Sequence, residues 1–130
     1  MNTRIIKTNI EIVHPELSYK INGLFFNVHN RLGRFCREKQ YADELEVELK
    51  NSGLRYKRES RVINENGFTG NVTDFIIEEC IVLELKSKPI LTKQDCYQAK
   101  RYLISTGKKL CLLVNFRDTY LKPKRVLNNS

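Results

Sequence analysis

Acidic residues are scarce in the last third of this 130-residue chain. From Lys86 onward there are 2 Asp/Glu against 11 Lys/Arg, whereas residues 1–85 carry 13 against 12. The formal charge of +8 at pH 7 is therefore concentrated in one part of the sequence, which suits a partner rich in phosphate. Other absences exclude whole classes. No apolar run is long enough to cross a bilayer, and Met1–Lys7 lacks the apolar stretch of a signal peptide, so a cytoplasmic protein with no membrane partner is expected. There is no low-complexity segment, and the length leaves no room for a second substantial core. The four cysteines show no CxxC spacing. Cys36, Cys80, Cys96 and Cys111 are expected to be buried free thiols rather than disulfides or zinc ligands.

What is present reads as one compact α/β domain spanning residues 1–130, with the poorly patterned residues 1–14 as an N-terminal arm. Pro15 and Glu16 begin a helix, in which Leu17, Ile21, Leu24, Phe25, Val28 and Leu32 recur at helical spacing. Gly33 should end it in a left-handed cap, and His29 should serve packing or capping. A second helix runs from about Arg37 to Ser52, with Tyr41, Leu45 and Leu49 as its apolar stripe. Leu54–Ile63 is a half-exposed strand, and Asn64–Gly67 a strong turn signal. A third helix begins at Thr92 with Asp95 completing a capping box, and ends at Gly107. Leu110–Phe116 has the continuous apolar character of a central strand, and Leu121–Leu127 could add an edge strand.

The chemistry centres on Thr73–Lys86, two apolar strands joined by Glu78-Glu79-Cys80. Side chains alternate across a strand, so Glu84 and Lys86 share a face. If Glu78-Glu79-Cys80 form a three-residue loop, Ile77 pairs with Ile81 and Asp74 falls opposite Glu84, with Cβ atoms roughly 4.5–5.5 Å apart. A one-residue slip would separate the two acids onto opposite faces. Two carboxylates this close in an apolar sheet repel and are costly to desolvate, and a hard divalent cation such as Mg²⁺ or Mn²⁺ would relieve both problems. Lys86 beside them could orient a water or stabilise developing negative charge. A surface hairpin carrying an ordinary Glu–Lys pair fits the same residues equally well.

An Asp followed ten residues later by Glu-x-Lys, with an apolar strand between them, resembles the PD-(D/E)XK nuclease superfamily. Gly33, Glu38 and Tyr41 are similar to the signature of its small GxxExxY family, and the element order matches over nearly the whole chain. The resemblance implies a restriction-endonuclease-like core, with a central mixed sheet of four to five strands flanked by helices. It implies a metal-dependent nuclease acting on DNA, with Asp74, Glu84, the Leu85 main-chain carbonyl and Glu38 around Mg²⁺ or Mn²⁺. Lys86 would then be catalytic and Tyr41 would support Glu38. Gln98 and Tyr102 match the Q-x-x-x-Y element of RecB-type branches, where they would hold the substrate strand, with Lys100 and Arg101 adding positive charge. A homo-oligomer is compatible with this reading. The chain departs from the family at Phe35, where relatives usually place a second glycine. The alternative is a non-catalytic nucleic-acid-binding or regulatory module that has kept the fold, and a protein-interaction component is a further rival.

Overall fold

In a computed structural model, residues 14–63 and 69–128 are described, with side chains over 14–58 and 74–128. Residues 1–13 of the expected arm and the Asn64–Gly67 turn lie outside them. Among the described residues no helix is long and apolar enough to cross a membrane.

Helix α1 (Pro15–Leu32) starts on its proline, whose missing N–H costs nothing in a first turn. It buries Ile21, Phe25 and Val28 at helical spacing. Gly33 follows it with φ 74° but ψ −159°. The positive φ agrees with the left-handed cap expected at Gly33, but the ψ does not, so that cap is not formed. At this ψ the chain is thrown outward in a region essentially restricted to glycine, and the segment 33–37 becomes a distinct loop. Helix α2 (Glu38–Ser52) buries Tyr41, Leu45 and Leu49, and Gly53 ends it in the left-handed conformation.

Strands β1 (Tyr56–Ile63), β2 (Thr69–Ile77) and β3 (Ile81–Lys86) form an antiparallel meander. Helix α3 (Lys93–Thr106) then carries the chain over to β4 (Leu110–Asn115), which lies parallel to β3. Thr92 and Asp95 cap α3 reciprocally. β5 (Lys124–Leu127) closes the far edge, antiparallel to β4. The result is a five-stranded mixed sheet in the order β1-β2-β3-β4-β5, the α/β restriction-endonuclease-like core expected from the sequence.

Alternation along the strands sorts their side chains into two layers. Phe75, Ile77, Leu83, Leu85, Leu112 and Val114 pack under α1 and α2. Val82, Cys111, Leu113 and Val126 pack under Ala99, Tyr102 and Leu103 of α3. Each fully buried side chain of this size contributes about 1.5–3 kcal/mol, so β3 and β4, buried on both faces, are the most firmly held part of the fold. The four cysteines are free, but only Cys111 is buried; Cys36, Cys80 and Cys96 are half-exposed because they sit in loops or at the rim of α3.

Candidate active site

The hairpin has the three-residue loop that places the acids on one face. Ile77 pairs with Ile81, Ile76 with Val82 and Phe75 with Leu83. Its tip is unusual, since Glu78 and Glu79 both take positive φ, 51° and 59°. Non-glycine residues there cost roughly 1–2 kcal/mol each. Arg55 offsets this, its main-chain N–H donating to Glu78 Oε2 at 2.7 Å and its guanidinium to Oε1 at 3.0 Å.

Beyond Phe75–Leu83 the ladder changes partners. The Leu85 N–H donates to Asp74 Oδ2 at 2.6 Å, so a side chain takes the place of a main-chain acceptor. N–H and C=O of one strand residue point the same way, so the Leu85 carbonyl also faces the gap beside Asp74. A hollow of about 250 Å³ opens here, lined by Glu38, Lys39, Ala42, Arg58, Asp74 and Leu85.

Glu84 lies behind this hollow on the α3 face, 4% exposed, with Oε1 buried and without a hydrogen-bond partner. Burial pushes its carboxyl up to about 9, and the charge of Asp74 pushes the same way; Lys86 and the Asp74 main chain only partly oppose them. Asp74 rises to about 6, mainly through burial, with the Leu85 N–H, Lys86 and Arg58 opposing and Glu38 adding to the rise. Thus three acids and one lysine share a field in which neither Asp74 nor Glu84 ionises easily. Groups perturbed in this way mark sites that bind or react.

Glu38 is exposed at the first position of α2 and reaches the hollow from the opposite layer. Tyr41 anchors the loop that precedes Glu38. Its ring stacks on Phe116 at 4.3 Å, and its hydroxyl donates to the Gly33 carbonyl at 2.5 Å while accepting from the Cys36 N–H at 3.2 Å. Arg58 ties α2 to β1 through Asp43 and Glu46, both at 2.8 Å. Among the described residues no three His, Cys, Asp or Glu groups stand close enough together to enclose a cation unaided.

Of the α3 residues, Tyr102 feels the charge of both acids. It is buried, and its hydroxyl is raised to about 12 by burial, then by the charges of Glu84 and Asp74. Gln98 is half-exposed one turn earlier on the same side, and Arg101 is exposed, its charge felt by Tyr102. Lys100 stands apart, lining a separate groove with Lys124 and Arg125. His29 binds the Asp118 carbonyl through Nε2 at 2.9 Å, a packing role. Sequence reasoning missed Asn115. It is buried at the end of β4, accepts from the Lys88 N–H at 3.1 Å and donates to the Lys88 carbonyl at 2.8 Å, holding the segment after Lys86 in place. A polar residue closing an apolar run was its only signal.

The family model described as "PD-(D/E)XK nuclease superfamily" matches residues 15–126. Among solved structures, SSO0001 is similar at a TM-score of 0.52 and 17% identity over 83% of this chain; the match spans 65% of that protein's length, and the likeness is one of fold. An alkaline exonuclease from Laribacter hongkongensis aligns at a TM-score of 0.49 and 12% identity, over 86% of this chain and 69% of its own. No curated protein sequence matches the chain.

Proposed function

Because the chain belongs to the PD-(D/E)XK nuclease superfamily, we propose that it is a metal-dependent nuclease that hydrolyses phosphodiester bonds in DNA, closest in character to the GxxExxY family through Gly33, Glu38 and Tyr41. The observation that carries this reading is the buried, unpartnered Oε1 of Glu84 beside Asp74. A buried carboxyl oxygen left without a partner is costly even in the protonated acid, and a cation bound there would both pair it and favour its ionised form.

The donor set fits a hard cation: two carboxylates, a main-chain carbonyl and a glutamate able to join directly or through water. Asp74, Glu84 and the Leu85 carbonyl would hold Mg²⁺ or Mn²⁺, with Glu38 completing the shell. Such an ion lowers the pKa of bound water and polarises a phosphate oxygen. Lys86, on the strand face of Glu84, orients the attacking water and offsets charge developing on the phosphate. Tyr102 and Gln98 steady the strand from α3, and Arg101 adds attraction for its backbone. Tyr41 keeps Glu38 at the mouth of the hollow.

The test is cleavage of labelled DNA and RNA in Mg²⁺ or Mn²⁺ by the wild type, Glu84→Ala and Lys86→Ala. Glu84→Ala should reduce cleavage to background and Lys86→Ala should lower it by about 100-fold or more. Cleavage unchanged by both substitutions would end the mechanism. DNA binding that is indifferent to chelator and accompanied by no cleavage would identify the non-catalytic module instead.

A further inference from the structure

Phe35, where the sequence departs from the family glycine, is 75% exposed. It is nevertheless held by a rigid frame. The Gly33 carbonyl is bound by Tyr41, and the Arg34 carbonyl accepts from Arg117 Nε at 3.1 Å. Arg34 Nε returns the contact, donating to the Arg117 carbonyl at 2.7 Å. The Cys36 carbonyl accepts from Ser87 Oγ at 2.8 Å. Both guanidiniums lie against the Phe35 ring, Arg34 at 4.7 Å and Arg117 at 5.6 Å from its centroid. With three-quarters of its surface open, most of the ring remains uncovered.

A loop this firmly anchored could have turned an aromatic inward. Presenting it outward between two cations leaves a fixed, open π-face with room for a ligand. Its position suits one. Ser87 follows Lys86, and the Phe116 N–H bonds the Lys86 carbonyl at 2.9 Å, so the cluster stands at the carboxyl ends of the parallel strands β3 and β4. That is where open α/β sheets receive ligands. Glu38 begins α2 three residues after Phe35.

We propose that Phe35, with Arg34 and Arg117, is a stacking platform for an unpaired base of the DNA strand entering the site. The inference rests on the nuclease reading above and adds a preference for a single-stranded or splayed end. Every base offers a π-face, so stacking on an aromatic ring is sequence-tolerant. With both Nε donors held by main-chain carbonyls, the remaining terminal N–H groups and the charge of the two arginines would attract the phosphates flanking that base. A paired base inside a blunt duplex could not reach the ring.

The chain has no tryptophan, so Phe35→Trp introduces a unique fluorophore at the platform. With EDTA present to prevent cleavage, this variant is titrated with oligothymidylate while the anisotropy of a labelled oligothymidylate and of a blunt duplex is followed for the wild type and Phe35→Ala. The new indole should be quenched as the strand binds. Phe35→Ala should weaken single-strand binding by about 10-fold, with duplex binding essentially unchanged and circular dichroism native. Equal affinity of Phe35→Ala and wild type for the single strand, an indole unmoved at saturation, an equal loss on the duplex, or a wild type that binds no oligonucleotide would each overturn the platform. None of these measurements needs turnover. Absence of cleavage with intact quenching would sink the nuclease mechanism and leave the platform standing.

Discussion

Strand β3 shows one face to each half of the molecule, and the two faces are built on different terms. Toward α1 and α2 it offers Leu83 and Leu85, which join Phe25, Tyr41, Phe75 and Phe116 in an apolar layer of interlocking rings. Toward α3 it offers Val82, Glu84 and Lys86, and the layer there is smaller and mixed, with Tyr102 and Cys111 beside a carboxyl that has no partner for one oxygen. The same backbone is thus stabilised from one side while it carries a buried, incompletely partnered acid on the other. A site of this kind is affordable only because the opposite layer is well packed.

Glu84→Gln separates the two faces most sharply. On the proposed mechanism, cleavage falls to background. Stability in metal-free buffer moves the other way, because the substitution removes a buried acid. The carboxyls of Asp74 and Glu84 start from ordinary values of 3.8 and 4.5 and are raised to about 6 and about 9 in the fold. Between those limits the native state keeps protons that the unfolded chain has lost, so their contribution is fully present below about pH 4 and fades as pH rises through about 6 and then about 9. Asp43, Glu46, Glu48, Glu78 and Asp95 are lowered by their hydrogen bonds and cations and act oppositely, losing stability only in acid. Melting in EDTA should therefore peak at mildly acidic pH and decline toward pH 9. Glu84→Gln should flatten the decline, and Mg²⁺ should raise the wild-type curve most at high pH. A wild-type curve that rises steadily to pH 9 in EDTA would contradict this account of the acidic face.

The apolar face is broken by Phe116→Ala. Phe116 is fully buried, stacked on Tyr41 and edge-on to Phe25 at 6.0 Å. Truncating a buried aromatic costs about 3–5 kcal/mol, which urea unfolding would read directly. Such a loss is a large part of the stability of a chain this size. A cost below about 1 kcal/mol would mean that the layer does not bear the weight assigned to it.

How much of this was legible in the sequence differs between the same two faces. Periodicity alone located the layer under α1 and α2, because Ile21, Phe25, Val28, Tyr41, Leu45 and Leu49 repeat at helical spacing and have no competing interaction. The hairpin parity was legible too, since a three-residue turn and two apolar runs leave few registers. The parting of β2 and β3 was not, because it depends on the Asp74 side chain capturing the Leu85 N–H in place of a main-chain partner. Nor was the positive φ at Glu78 and Glu79, which Arg55 makes tolerable from 23 residues away. Lys100 points to a separate groove because one position on a helix is a turn of about 100°. The junction of Arg34 and Arg117 joins residues with 83 positions between their numbers, and nothing local announces it.

The smallest expected effect comes where the two regions meet. Tyr41 belongs to the apolar layer by its ring and to the site by its hydroxyl, which bridges Gly33 and Cys36 just before Glu38. Tyr41→Phe keeps the ring and the stack on Phe116 and removes only the bridge. Stability should fall by about 1–2 kcal/mol, a few degrees in melting temperature. If Tyr41 acts only as packing, cleavage at saturating Mg²⁺ and its metal dependence should both match the wild type. If it positions Glu38, the Mg²⁺ concentration for half-maximal cleavage should rise by about 10-fold, while Glu38→Gln and the double variant show no further loss than Glu38→Gln alone. Additive losses in the double variant would place Tyr41 outside the line of action through Glu38, and would return the hydroxyl to the apolar layer as a loop anchor.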